Sequence, residues 1–380
     1  MHGRKKSDRP PTKDERDALE AKISNYKKVV CAIRYKQKCG RLDGEYKRLL
    51  GKLLRLHPDF YSMWNYRKEV VLQEVGRAQE HSMAFGRDSM DSGVVELILT
   101  RFDALDKTEE ALRDLFKEEL SLSVDCIKRN PKSYSAWHHH KWALEKGLDS
   151  LGGTVALREE LALCAQFLEL DGRNFHCWAY RMWVAQVMGL SVEEDFDFTT
   201  VKIKQNFSNY SAFHFRSKLL PRMVDEASCD RWQLLADELE LTHDAMFTEP
   251  ADQSVWWYHQ FLLTWAEEGA TGRNTERYED VLRTEASTLK ELIEVEGRCK
   301  WAELALLLVT QRLANSLNGA TAASSSPPGS GEGGGSIEAV ELLKTCTDMA
   351  SRLAELDPMH AKFYEFVKRG DSVWGLGQSL

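Results

Sequence analysis

Apolar residues recur at three- and four-residue intervals along most of the chain, the spacing of one face of an α-helix. Leu157, Leu161, Cys164, Phe167 and Leu168 follow it, and the stretches 234–241 and 337–356 read the same way. No stretch sustains the alternate-residue pattern of a strand. Pro58, Pro131, Pro250 and Pro358 punctuate the helical pattern. Proline lacks the amide hydrogen that the first turn of a helix leaves unused, so it fits where a helix is entered. The pattern predicts helix pairs joined by short turns, with a proline in the turn that leads into the second helix.

Five of these turns align without gaps: HPDFYSMWNYRKEVV from His57, NPKSYSAWHHHKWAL from Asn130, DGRNFHCWAYRMWVA from Asp171, NFSNYSAFHFRSKLL from Asn206 and EPADQSVWWYHQFLL from Glu249. With the second residue of each as position zero, position +3 is Tyr61, Tyr134, Phe175, Tyr210 and Gln253. Position +6 is Trp64, Trp137, Trp178, Phe213 and Trp256, and position +9 is Arg67, His140, Arg181, Arg216 and His259. The +6 rings are 73, 41, 35 and 43 residues apart. Looser copies surround Trp301 and Tyr364. Repeats therefore lie near 57–71, 130–144, 171–185, 206–220, 249–263, 296–310 and 357–370. A period of this length is that of a helix hairpin that buries its apolar face only against its neighbours. The expected fold is all-α, a right-handed α–α superhelix (solenoid) of stacked antiparallel hairpins, forming one continuous domain over 1–380. Two segments interrupt the period: 79–105, expected as an inserted loop with a short helix, and 319–336, whose Gly, Ser and Pro content suits a flexible linker.

Composition removes several functions. Lys and Arg number 51 against 59 Asp and Glu, a net charge of −8. An acidic chain lacks the cationic excess that phosphate backbones require, so nucleic acid is not an expected partner. No apolar run approaches the ~20 residues of a membrane span. The charged opening MHGRKK has no apolar stretch behind it, so no secretory leader is expected. The eight cysteines include no C-x-x-C pair and suit free thiols in the cytoplasm.

The +6 rings are expected to fill the core between hairpins. The +9 side chains, three residues on, are read either as internal hydrogen-bonding or stacking groups or as surface charges, with the structural reading preferred. His138, His139 and His140 point about 100° apart on a helix, so they cannot share one metal ion. The GSGEGGG run from Gly329 neither follows a strand nor opens an apolar helix, which excludes a dinucleotide site. No phosphate-loop motif occurs, and no Ser-His-Asp or Cys-His constellation emerges from the spacing. Lys132 is expected in the first turn of a second helix, where the helix dipole disfavours a cation.

The repeats P-x-x-Y-x-x-W-x-x-R resemble the α subunits of protein prenyltransferases, within which the type II (Rab) geranylgeranyltransferase group is most similar. The likeness is carried by the opening MHGR, by PDF and WN within 58–65, by NPKSYSAW from Asn130, by RNFHCW from Arg173, by NFSNYS from Asn206, by FTEPADQS from Phe247 and by DPM from Asp357. It spans residues 1 to about 370. The resemblance implies an enzyme subunit that is inactive alone and wraps a β subunit. That β subunit holds the catalytic zinc and most of the isoprenoid pocket. It implies transfer of geranylgeranyl from geranylgeranyl diphosphate to C-terminal cysteines of Rab GTPases presented by Rab escort protein. Matched by motif, the family's seam residues fall on Lys132 (catalytic) and on Tyr134, His176 and Asn174 (diphosphate and prenyl-substrate contacts). His2 would be a weak ligand to the partner's zinc.

Where CaaX-directed α subunits carry a glutamine after the tyrosine, this chain has Ser135, which favours the Rab class. The immunoglobulin-like and leucine-rich-repeat modules of larger relatives are not expected here. The rival readings are an α subunit of a farnesyltransferase or type I geranylgeranyltransferase acting on CaaX proteins, and a non-enzymatic helical-repeat scaffold.

Overall fold

The structure is a computed structural model that describes residues 12–84, 94–324 and 336–368. Among the described residues every regular element is helical. The chain forms two compact units, Met1–Gly189 and Leu190–Leu380. The division falls at Gly189, whose left-handed backbone (φ 72) ends a helix.

The first unit contains α1 (Lys13–Lys38), α2 (Gly44–Leu56), α3 (Tyr61–Ala84), α4 (Val94–Arg129), α5 (Tyr134–Gly147), α6 (Thr154–Leu170) and α7 (Phe175–Met188). The second contains α8 (Val192–Gln205), α9 (Tyr210–Asp225), α10 (Arg231–Thr248), α11 (Gln253–Glu268), α12 (Asn274–Glu296), α13 (Lys300–Ser324), α14 (Ile337–Leu356) and α15 (Ala361–Lys368). Within each unit, consecutive helices pack as hairpins: α4 with α5, α6 with α7, α8 with α9, α10 with α11 and α12 with α13.

The repeat motif builds its own turn. Position +2 is the N-cap of the second helix: Ser133, Asn174, Asn209 and Asp252 each accept a main-chain N–H of the first turn. The +6 indole closes the turn from the other side. Nε1 of Trp64, Trp137, Trp178 and Trp256 donates to the main-chain oxygen of Pro58, Pro131, Gly172 and Pro250, at 2.7, 2.9, 2.9 and 3.0 Å. These rings are buried, as expected of core residues. The aromatic at +6 thus satisfies a carbonyl that its own burial would otherwise strand.

Two expectations about the interruptions change. Helix α3 runs to Ala84 and α4 begins at Val94, so most of 79–105 is helix, not loop. Helix formers flank the Gly/Ser/Asp cluster, which falls in 85–93, outside the described residues. Likewise α13 extends to Ser324 and α14 opens at Ile337, which leaves only part of 319–336 between helices.

Candidate functional site at the entries of α5 and α7

Neighbouring second helices start side by side, and the turn before α5 is tied to the start of α7. Asn174 caps α7, its Oδ1 accepting from the main-chain N–H of His176 (3.1 Å) and Cys177 (3.2 Å). Its Nδ2 donates to the Pro131 carbonyl at 3.1 Å, an oxygen that also accepts from Trp137. Asn174 is buried, and both of its polar ends are spent inside the chain. Lys132 lies one residue outside the Ser133 cap, not in the first helical turn as expected, and its side chain is exposed. It therefore escapes most of the dipole penalty expected for it.

His176 is 8% exposed, whereas Tyr134 is 70% exposed. Their rings meet edge to face at 4.2 Å, and Phe175 packs against both, 6.0 Å from Tyr134 and 4.0 Å from His176. The imidazole hydrogen-bonds the main chain of Lys132, while Nε2 is buried with no partner. The bond to Lys132 therefore leaves from Nδ1–H, and Nε2 is a bare acceptor. Burial lowers the pKa of His176; the bond to Lys132 raises it and the nearby Lys132 charge lowers it again. The structure thus gathers Lys132, Tyr134 and His176 at one edge: an ammonium, a phenol and an imidazole whose free nitrogen lacks a partner. Asn174 stands behind them.

The +9 side chains are structural, and their partners were missed in the sequence. Arg67 holds Glu119 of α4 with Nε and Nη2, both at 2.7 Å. His140 reaches Glu160 of α6 at 2.9 Å, Arg216 reaches Glu238 of α10 at 2.6 and 2.5 Å, and His259 reaches Glu285 of α12 at 2.9 Å. Glu119, Glu160 and Glu238 each lie twelve residues before position zero. Aligning the repeats upstream as well as downstream would have found them. His139 turns to Glu119 (3.0 Å) while His140 turns to Glu160, so the histidine triplet serves two separate carboxylates. Among the described residues no group of three His, Cys, Asp or Glu side chains could hold a metal ion. His2, which the resemblance matched to the partner's zinc, lies outside the described residues.

A family model described as the protein prenyltransferase alpha subunit repeat matches residues 47–74, 116–147, 157–188, 192–223 and 235–266. Each matched segment covers one hairpin. A Dictyostelium discoideum protein named geranylgeranyl transferase type-2 subunit alpha is 30% identical over 357 residues, which is 90% of this chain and 91% of that protein. The chain belongs to the protein prenyltransferase α-subunit family.

Human geranylgeranyl transferase type-2 subunit alpha is 37% identical over 270 residues, 69% of this chain but 42% of that protein. The chain therefore spans less than half the length of its vertebrate relatives. A solved structure titled Candida albicans protein geranylgeranyltransferase-I complexed with GGPP superposes with a TM-score of 0.61 at 13% identity, covering 91% of this chain and 90% of that one. At that identity the likeness shows the fold, the α–α superhelix class expected from the repeats. In this prenyltransferase α-subunit chain the residue after Tyr134 is Ser135, half-buried in the first turn of α5.

Proposed function

We propose that the chain is the α subunit of a heterodimeric protein geranylgeranyltransferase of the Rab type. In this reading it works in the cytoplasm on Rab GTPases presented by Rab escort protein, with geranylgeranyl diphosphate as donor. The observation that carries the reading is the gathering of Lys132, Tyr134 and His176 at the adjacent entries of α5 and α7. Identity to type-2 α subunits over most of the chain's length supports the acceptor class, as does Ser135.

The chemistry follows from charge. As an acceptor thiolate attacks C1 of the isoprenoid, the C–O bond breaks and negative charge grows on the departing diphosphate. Donors fixed in advance stabilise that charge without reorganising. The exposed Lys132 ammonium supplies charge, and the Tyr134 hydroxyl supplies a neutral donor. His176 in its neutral form presents Nε2 as an acceptor, so it becomes a donor only on protonation. An arriving diphosphate favours the imidazolium, so anion binding and proton uptake by His176 are coupled.

The rings at position +3 support a partner subunit. The +3 rings Tyr61, Tyr134 and Phe175 of the first unit and Tyr210 of the second are more than half exposed, at 62, 70, 52 and 52%. Exposed rings at the helix entries suit a protein interface. Zinc and most of the isoprenoid pocket are assigned to that β subunit, and no step on this chain runs through the metal. No described helix is long and apolar enough to cross a membrane.

Co-expression with a prenyltransferase β subunit tests the reading. The expected result is a stable heterodimer that transfers geranylgeranyl to escort-bound Rab and not to a CaaX peptide. Transfer to the CaaX peptide alone would move the chain to the rival class. Failure to bind any β subunit would favour the scaffold reading.

A further inference from the structure

The turn before α5 is held from α7: the Pro131 oxygen, in the peptide that leads into the Lys132 Cα, accepts from Asn174 Nδ2 at 3.1 Å. The position of Lys132 is therefore set by α7 as well as by its own helix. The Pro131 oxygen also accepts from Trp137 at 2.9 Å, so this peptide is pinned from both hairpins. Other neighbouring repeats tie their turns differently. Asn130 Nδ2 reaches the Asp59 side chain at 2.7 Å, and Ser254 Oγ reaches the Ser208 carbonyl at 3.3 Å. Only at α5 and α7 does one amide side chain both cap the later helix and grip the earlier turn among the described bonds.

Resting on the functional reading above, we infer that Asn174 is a positioning residue, which acts on the diphosphate through Lys132 and does not touch it. The motif match grouped Asn174 with substrate contacts, but it is buried, and its bonds run to the first amides of α7 and to the Pro131 carbonyl. Its two ends are separable by chemistry. Aspartate at 174 keeps the oxygen that caps α7 and is itself a strong N-cap. It replaces the Nδ2 donor with a second oxygen, which repels the Pro131 carbonyl. The Asn174→Asp variant should therefore keep α7 capped while releasing the Lys132 turn.

The test is a double-mutant cycle on the heterodimer, comparing wild type, Asn174→Asp, Lys132→Ala and the double variant. Asn174→Asp should melt within a few degrees of wild type and lose about ten- to a hundredfold in kcat. In the double variant the loss should equal that of Lys132→Ala alone, because residues acting as one unit do not add. The same cycle is read as the affinity for inorganic pyrophosphate, which needs no acceptor protein. Losses that multiply in both readouts would overturn the inference, since Asn174 would then act independently of Lys132. Wild-type kcat in Asn174→Asp would overturn it as well. A wild-type heterodimer that transfers to no acceptor would sink the functional reading instead, and the pyrophosphate cycle would still decide the role of Asn174.

Discussion

Glu160 and Tyr180 stand twenty residues apart in sequence and share a buried hydrogen bond of 3.1 Å, donated by the phenol. The same separation joins Glu119 to His139 and Glu238 to Tyr258. In each case the carboxylate, on the first helix of a hairpin, meets a +8 side chain of its own second helix. It also meets the +9 side chain of the preceding one: Arg67, His140 or Arg216. One buried acid thus ties each of these three hairpins to the one before it. Burial first, and the adjacent Glu160 second, push the Tyr180 hydroxyl well above its ordinary pKa, so it remains a donor.

Removing one partner of such a pair strands a charge out of water. Arg216→Ala leaves the buried Glu238 with the Tyr258 hydroxyl in place of a two-pronged guanidinium. The expected loss is about 3–5 kcal/mol in urea unfolding. Arg283→Ala removes an exposed cation that pairs at 3.4 Å with Glu338, and should change stability by under about 1 kcal/mol. Equal effects of the two substitutions would contradict the assignment of the +9 residues to the frame.

The indole bonds to the turns make a graded prediction. Trp178→Phe removes the donor to the Gly172 carbonyl and should cost about 1–3 kcal/mol. Trp137→Phe should cost less, because the Pro131 carbonyl keeps Asn174 as a second donor. Thermal melts of the two variants give the order directly.

Acid should loosen the two units in different pH windows. Burial pushes His139 down to about 4 from 6.5, against the pull of Glu119 and with help from the charges of Arg67 and Lys68. Below pH 6.5 the unfolded chain takes up a proton that the folded chain refuses, so stability falls from pH 6.5 to about 4. Glu285 is opposite in kind. Burial would raise it, but hydrogen bonds from His243 and His259 hold it at about 2 from 4.5. Its contribution is present above pH 4.5 and is lost as pH falls towards 2. Each term is on the order of 3 kcal/mol. His139→Gln should flatten the upper window in denaturant titrations from pH 7 to 4 and leave the lower one intact.

Much of this was legible in the chain, and the reasons for the misses are specific. An aromatic ring stands at +6 in all five motifs and a proline at position zero in three of them, so hairpins, turns and core rings could be read directly. The acids at Glu119, Glu160 and Glu238 hide among 59 acidic residues and lie outside the motif window. Their burial, not their identity, distinguishes them. The 79–105 segment was read as a loop because a Gly-, Ser- and Asp-rich cluster coloured its middle; Val94 to Leu105 belongs to α4. At the site, the motif match picked out Lys132, Tyr134, His176 and Asn174 together. It could not separate the exposed pair from the buried amide, since that depends on which turn each side chain meets.

Binding of an anion at the site should take up a proton. His176 is neutral when free, with its pKa lowered chiefly by burial, and an adjacent diphosphate raises it. Calorimetry of pyrophosphate binding to the heterodimer at pH 7.5, in buffers of different ionisation enthalpy, should show uptake that disappears in His176→Gln. Unchanged uptake in that variant would place the proton elsewhere.

The most direct measurement is prenyl transfer by the co-purified α–β complex to escort-bound Rab, made with wild-type chain and with Lys132→Ala. The Lys132 side chain is exposed, so its removal should leave assembly and melting temperature unchanged, while kcat falls at least about a hundredfold. Wild-type turnover from an intact Lys132→Ala complex would contradict the claim that this chain lends its charge to the departing diphosphate.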